Sequence, residues 1–205
     1  MSLNIKTDPK TIVIVGGGSA GHVLPALPVA QRLIERQWQV HFVGTHSGLE
    51  EKLLGDLAIT FHGVAAGKLR RYFSWQNFTD VLRIVLGVVQ SVFLLRRIRP
   101  NVIFSKGGFV SFPLVFAGWL LRIPVLAHES DLTPGLANRL VMPFVSTLCS
   151  SFADTQFAGF KGRVVNTGTP IRDDLLLGDA ESGKRYLGVS DDRDILLVTG
   201  GSLGA

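Results

Sequence analysis

The sequence contains a single cysteine in 205 residues, Cys149. One thiol excludes an internal disulfide framework, so a reducing compartment is expected. The short run 147–149 predicts a strand in which this thiol is buried and unreactive. Three of the histidines (His41, His46 and His62) show no metal-ligand spacing with the cysteine or a carboxylate pair. The sequence therefore predicts no disulfide, no metal site and no cofactor.

A long uninterrupted hydrophobic run is also missing. A bilayer-spanning helix needs roughly 18 to 20 apolar residues, and the longest candidate, residues 81–95, is interrupted by Arg83 and Gln90. Residues 1–10 are polar, and the apolar run at 11–15 is too short for the core of a secretory signal. We therefore expect a soluble protein or one bound peripherally to a membrane.

The chain has a moderate content of charged residues and a net positive charge. Hydrophobic residues make up 46% and charged residues 18%, which is typical of a folded globular protein. The formal net charge is +5 and the pI is about 9.7. Nucleic acid, an anionic membrane surface and a phosphate-rich substrate would all suit this balance.

Short β-branched runs alternate with helix-like segments, which is typical of a parallel α/β sheet with helices on its faces. We predict strands at 11–15, 39–43, 59–64, 102–104, 125–127, 147–149 and 163–166. Helices are predicted at 25–36, 49–54, 78–99, 112–121 and 134–141.

The amino-acid composition of the chain changes near residue 173. Residues 173–193 are rich in Asp, Gly, Lys and Arg and predict a linker with a short helix. Residues 194–199 predict a new buried strand that leads into a glycine loop. We therefore expect one Rossmann-like domain at 1–172, a linker at 173–193 and, at 194–205, the truncated start of a second domain.

The first glycine loop follows the first strand directly. Gly16, Gly18 and Gly21 match G-x-G-x-x-G, a pattern whose backbone can approach a phosphate at a helix N-terminus. A dinucleotide enzyme would also need an acid at the end of the second strand. The nearest acids, Glu50 and Glu51, already lie in a helix, which argues against NAD or FAD.

Two further glycine loops, at 105–111 and 200–204, also follow predicted strands. Loops at the carboxyl ends of parallel strands meet at one edge of a sheet. Three of them together predict a crevice that accepts phosphates and sugars, although any one could be only a turn.

Five ordered motifs resemble those of the MurG family of N-acetylglucosaminyltransferases. They are the loop at 17–23, the loop at 105–111, His128-Glu129-Ser130-Asp131 with the Pro-Gly-Leu-Ala-Asn segment at 134–138, the turn at 167–172 and the loop at 200–205. The resemblance implies the N-terminal half of a two-domain GT-B-type transferase. Two departures are Ser19-Ala20, where many members have Thr-Gly, and Asp131, where many have Asn.

The resemblance also implies an activity. The family transfers N-acetylglucosamine from UDP-N-acetylglucosamine to a polyprenyl-pyrophosphate-linked muramyl-pentapeptide, with inversion and without a metal. This is a step of peptidoglycan synthesis at the cytoplasmic face of the membrane. Most donor contacts would lie in the C-terminal half, so this chain alone is expected to be inactive.

Histidine titrates near the working pH, so His22 is the candidate base for the acceptor hydroxyl. We expect a helix N-terminus to keep it neutral, although it could also only orient substrate. Glu129 could bind the acceptor, hold His22 or form an internal cap.

Further candidates would bind substrate, each with a structural alternative. The backbone of Ser19, Ala20, Gly21, Gly107 and Gly108 would contact phosphate, Asn138 and Asp131 would contact substrate, and Arg172 and Ser202 would meet the donor diphosphate. The alternatives are turn geometry for the loops and a surface position for Asn138 and Arg172. The negative charge of Asp131 would repel a diphosphate unless it accepts a hydroxyl or an N–H.

Arginines at both ends of the helix predicted at 78–99, together with nearby aromatics, suit an anionic bilayer surface. The membrane candidates are Arg70, Arg71, Trp75, Arg96 and Arg97. A buried helix with solvated ends is the alternative. Two other functions stay open: a nucleotide-cofactor oxidoreductase, and a non-catalytic module that binds acceptor or membrane. Nucleic acid is not an expected partner.

Overall fold

The computed structural model of the chain describes residues 9–46, 48–67, 76–189 and 195–198. The strands are β1 Thr11–Gly16, β2 Gln39–Thr45, β3 Ile59–Val64, β4 Val102–Gly107, β5 Val125–Glu129, β6 Thr147–Ser150 and β7 Arg163–Asn166. The helices are α1 Ala20–Val23, α2 Ala26–Glu35, α3 Glu50–Leu54, α4 Gln76–Ile98, α5 Ser111–Leu120, α6 Leu136–Val141 and α7 Ala180–Leu187. Single 3₁₀ turns occupy Met142–Phe144 and Asp173–Leu176.

The strands form one seven-stranded sheet in the order β3-β2-β1-β4-β5-β6-β7, and every neighbouring pair is parallel. The predicted α/β class is therefore confirmed. The chain winds outward from β1 in one direction through β2 and β3, and then returns to β4 on the other side of β1. This reversal creates a crevice at the carboxyl ends of β1 and β4.

The central strand β1 is buried on both faces, which is why its sequence reads as a continuous apolar run. Ile12 and Ile14 pack in the cluster that contains the buried alanines of α2. Val13 and Val15 pack in the opposite cluster, which contains Leu95 of α4 and the apolar side of α5. Helices on both faces thus anchor the strand that leads into the first glycine loop.

Helix α4 lies close to the sheet at Gly87, where an added Cβ would come within 2.0 Å of the Ala65 carbonyl oxygen. The opposite side of the helix is exposed and apolar, with Leu82, Leu86 and Phe93 each more than half exposed. In the part of the chain that the structure describes, no helix is both long and apolar enough to cross a bilayer.

The predicted strands are all present except the last. Residues 195–198, the described part of the strand predicted at 194–199, form no strand, and Leu196 and Val198 are 88% and 85% exposed. That prediction is wrong for these residues. An apolar run becomes a strand only where a neighbouring strand accepts its backbone hydrogen bonds.

Contacts divide the chain into two units, Met1–Pro170 and Ile171–Ala205. The first contains the whole sheet. The second contains the 3₁₀ turn and α7, which is capped at its N-terminus by Asp179, whose carboxylate accepts a hydrogen bond of 2.8 Å from the Ser182 N–H. Gly188 ends α7 in the left-handed conformation, as is common at helix C-termini.

Candidate active site

A cleft of about 450 Å³ opens at the carboxyl ends of β1, β4 and β5. The first and second glycine loops form two of its walls, and the segment from Glu129 to Asn138 forms the third. Its described lining includes Ser19, His22, Gly107, Gly108, Glu129, Asp131 and Asn138. Ala20 and Gly21 lie in α1, outside this lining. Seven of the residues that the sequence analysis selected are therefore brought together.

A larger cavity of about 740 Å³ lies on the β2 and β3 side of the first loop. It shares Gly18, Ser19 and Phe109 with the cleft, but its described lining includes neither His22 nor the segment after β5. The smaller cleft is therefore the candidate active site, because there His22 and both glycine loops share one lining.

His22 lies in the four-residue helix α1, and its N–H donates to the Ser19 carbonyl at 3.2 Å. Burial is the largest cause of the lowered pKa of His22, and the Lys106 ammonium lowers it further. The Lys106 backbone, Glu129 and Asp131 act in the opposite direction. The expected neutral imidazole is thus favoured by desolvation and a nearby cation rather than by the short helix.

The second glycine loop is shaped by two left-handed residues, Gly107 with φ 96° and Gly108 with φ 86°. An added Cβ at Gly107 would lie 3.5 Å from both the Nδ1 of His22 and the Oδ1 of Asn138. An added Cβ at Gly108 would lie 2.0 Å from the Gly17 carbonyl oxygen. Glycine is therefore needed here both for the backbone conformation and for the close approach of the two loops.

Glu129 is buried and organises the third wall of the cleft. Its Oε1 accepts from the Asp131 N–H, and its Oε2 accepts from the Gly135 N–H and from the Nδ2 of Asn138, each at 2.9 Å. These bonds match the internal-cap alternative. The carboxylate fixes the segment that carries Asp131 and Asn138, and it acts on His22 through its charge.

Asn138 is buried rather than on the surface. Its Nδ2 also donates to the His128 carbonyl at 3.2 Å, while its buried Oδ1 has no hydrogen-bond partner. An unpaired buried carbonyl oxygen is costly, so it is a candidate acceptor for a ligand hydroxyl or amide. Asp131, in contrast, is exposed at the mouth of the cleft.

Residues 12–149 match the glycosyltransferase family 28 N-terminal domain. The chain belongs to this family.

Two curated relatives of this chain carry the same name. A Legionella pneumophila protein is 49% identical over 95% of this chain, and a Clostridium kluyveri protein is 46% identical over 96%. Both are named UDP-N-acetylglucosamine--N-acetylmuramyl-(pentapeptide) pyrophosphoryl-undecaprenol N-acetylglucosamine transferase. The chain spans about half the length of the curated relatives it matches, 54% and 56% for these two.

Solved structures agree with the family 28 fold. The crystal structure of Acinetobacter baumannii MurG is 29% identical, with a TM-score of 0.66 over 80% of this chain and 46% of that one. A Neisseria meningitidis UDP-GlcNAc 2-epimerase, 15% identical with a TM-score of 0.58 over 88% of this chain and 51% of that one, shares the fold alone.

The remaining predicted residues lie elsewhere in this family 28 chain. Arg172 belongs to the second unit, where its Nε lies 3.4 Å from the Oδ1 of Asp174. Arg96 and Arg97 are exposed in the last turn of α4. Arg70, Arg71, Trp75 and Ser202 lie outside the described residues.

Two buried charged residues near the glycine loops were not selected from the sequence. Glu50 was set aside because it lies in a helix, yet it is the first residue of α3 and its Oε1 accepts from the Gly18 N–H at 3.1 Å and from the Oγ1 of Thr45 at 3.3 Å. Lys106, inside the second loop motif, is only 1% exposed. A charged residue inside an apolar strand pattern is the signal that could have identified Lys106.

Proposed function

We propose that this chain is the acceptor-binding half of a transferase that moves N-acetylglucosamine from UDP-N-acetylglucosamine to a polyprenyl-pyrophosphate-linked muramyl-pentapeptide. The observation that carries the proposal is the placement of His22 beside Gly107 and the unpaired Oδ1 of Asn138, in a cleft at the switch point of the sheet. The names of relatives at 46–49% identity support the substrates.

In the proposed reaction a ring nitrogen of His22 takes the proton of the acceptor sugar hydroxyl. The hydroxyl oxygen then forms a bond to the anomeric carbon of N-acetylglucosamine. The bond from that carbon to the UDP oxygen breaks, and its electron pair leaves with UDP. A base must be unprotonated before this step, which fits the lowered pKa of His22.

The walls of the cleft have separate tasks in this proposal. The glycine loops bring backbone groups close to the acceptor diphosphate, as Gly17 and Gly108 allow. The Oδ1 of Asn138 accepts a hydrogen bond from the acceptor, and Glu129 positions Asn138. Donor contacts fall mostly to a second half, to which Arg172 at the domain junction and Ser202 in the third glycine loop add contacts with the diphosphate.

The acceptor in the relatives' names carries an undecaprenol tail, which stays in a bilayer because of its apolar length. We propose that α4 brings the cleft to that surface, on the cytoplasmic side. Its exposed apolar residues form a stripe at helical spacing: Leu82, Val85, Leu86, Val89 and Phe93. Arg96 and Arg97 follow at the end of the helix and suit anionic headgroups.

A radiolabel transfer assay tests the activity. A protein that contains this chain together with a donor-binding half should move labelled N-acetylglucosamine from UDP to a polyprenyl-linked acceptor, and the label should appear in the lipid fraction. UDP-glucose serves as the donor control. No labelled lipid from a folded protein that binds UDP-N-acetylglucosamine would overturn the proposal and favour a non-catalytic binding module.

A further inference from the structure

Lys106 is the penultimate residue of β4, and its side chain is almost completely buried. Val15 and Gly16 of β1 pair with Ser105 and Gly107, so the register shifts by one residue and Lys106 has no partner on β1. Such shifts re-aim the side chain of the extra residue. The Nζ of Lys106 meets the Oγ of Ser130 in the segment after β5.

A buried ammonium needs negative charge nearby, since removal from water is costly for an unpaired cation. The two acids that flank Ser130, Glu129 and Asp131, supply it. Both raise the pKa of Lys106 against the larger lowering effect of burial. Lys106, which contacts Ser130, and the two acids next to Ser130 in the sequence thus form one group of charges.

The same group acts on the histidines around it. For His22 the Lys106 ammonium lowers the pKa, whereas Glu129 and Asp131 raise it. For His128, burial lowers the pKa most, Lys106 lowers it further and Glu129 raises it. Without the Lys106 ammonium, the negative charges of Glu129 and Asp131, which both line the cleft, would repel an anionic ligand.

We propose that Lys106 is a positioning residue: its buried ammonium, bonded to Ser130 between Glu129 and Asp131 in the sequence, offsets these two carboxylates beside His22 so that the cleft accepts an anionic diphosphate. The diphosphate part of this inference rests on the proposed function. Lys106 is outside the described lining of the cleft, so it acts through the charges around it and not by touching the ligand. This balance of charges also accounts for an acid at position 131, where the sequence analysis expected repulsion.

A histidine NMR titration of the 205-residue chain tests the charge group without any need for transfer. In Lys106→Met, which keeps an unbranched side chain one atom shorter, the His22 pKa should rise because the cation is gone. In Asp131→Asn it should fall. In the double variant Lys106→Met/Asp131→Asn the two shifts should largely cancel. An unchanged His22 pKa in folded Lys106→Met overturns the proposal.

The second readout is the low-pH limb of the pH profile of kcat/KM. It is measured in a protein that contains this chain and transfers sugar. It should move to higher pH in Lys106→Met and return in the double variant, and the acceptor KM should rise roughly tenfold in Lys106→Met alone. Lys106→Arg, which keeps the charge, should leave both the pH limb and the acceptor KM close to their values in the parent protein. A merely structural lysine would lower stability without moving the pH limb, which contradicts the inference.

The two readouts separate the inference from the proposed function. If the His22 pKa moves as expected and no sugar is transferred, the charge group stands and the transferase proposal fails. If sugar is transferred and neither the His22 pKa nor the pH limb responds to Lys106→Met, the inference about Lys106 fails alone.

Discussion

The imidazole of His22 loses part of its hydration between the two glycine loops, and that loss is the main cause of its lowered pKa. Its ordinary value is 6.5, so the ring is mostly neutral at pH 7 and becomes protonated only at lower pH. A base prepared in this way should stay active on the acidic side of neutrality.

His22→Ala should lower the transfer rate by about 10²-fold or more and leave donor affinity nearly unchanged, since the base acts on the acceptor hydroxyl. Steady-state assays across pH are the measurement. In the parent protein kcat/KM should decline only below pH 6.5. His46→Ala is the matched control, because His46 is exposed outside the cleft. A normal rate in His22→Ala would remove this residue from the chemistry.

Glu129→Gln should destabilise the first unit by about 1 to 3 kcal/mol. The carboxylate accepts three N–H groups through two oxygens, and an amide leaves at least one of these donors unpaired. Urea unfolding of the chain gives the value. Glu51→Gln in α3 is the matched control, because that side chain is exposed and its replacement should change stability little. Equal stability of Glu129→Gln and the parent would contradict the role of Glu129 in fixing the segment that carries Asp131 and Asn138.

At the scale of elements, α4 has two unlike sides. The side at Gly87 packs closely on Ala65, and the other exposes a stripe of leucine, valine and phenylalanine. An ordinary surface helix would carry polar residues there. The periodicity of the sequence predicted the position of the helix. It could not distinguish a membrane-contacting helix from a buried one, because apolar residues are favoured in both environments.

Gly87→Ala should destabilise the first unit by about 1 to 3 kcal/mol despite the better helix propensity of alanine. The new Cβ would lie 2.0 Å from the Ala65 carbonyl oxygen, a backbone atom that cannot rotate away. Gly118→Ala in α5 is the matched control. There the nearest atom, at 2.4 Å, is the Cδ1 of Ile103, the far end of a flexible side chain. Urea midpoints that fall equally in both variants would contradict this reasoning.

The apolar stripe should bind anionic vesicles. At low salt the chain should co-sediment with phosphatidylglycerol-containing vesicles and largely release at high salt, since each arginine near the surface contributes about 1 kcal/mol that salt screens. Leu86→Glu/Phe93→Glu should reduce binding without unfolding, because both side chains are exposed. Arg32→Gln, on α2, is the control. Equal sedimentation of the stripe variant and the parent would show that α4 is not the contact.

At the scale of the whole molecule, the sheet and its edge of functional loops could be predicted from sequence. Alternation of β-branched runs and glycine loops is a local signal, and it located β1, β4 and β5 together with His22 and Asn138. The bonds of Glu129 and Glu50 could not be predicted, because they join residues that only the folded sheet brings together. The strand predicted at 194–199 was wrong for its described residues, 195–198, for a related reason: apolar sequence alone supplies no pairing partner.

Stability of the first unit should fall as the pH decreases from about 7.5 to 5.5. Burial lowers the pKa of His22, His41, His62 and His128 below the ordinary 6.5, so the unfolded chain binds more protons in this range. Urea midpoints at each pH measure the decline. His41→Gln/His62→Gln, which removes a pair whose ring nitrogens lie 3.0 Å apart, should flatten it. A midpoint that does not change with pH would contradict this expectation.

The stripe on α4 has a consequence for the protein when no bilayer is present. Copies in dilute buffer carry like charge, +5 each by formula, and repel one another at low ionic strength. Added salt removes that repulsion while leaving the apolar stripes free to meet, so self-association grows under the conditions that release the chain from vesicles. If α4 is the membrane contact proposed above, the same surface should make the protein least stable against self-association at the salt concentrations that weaken vesicle binding.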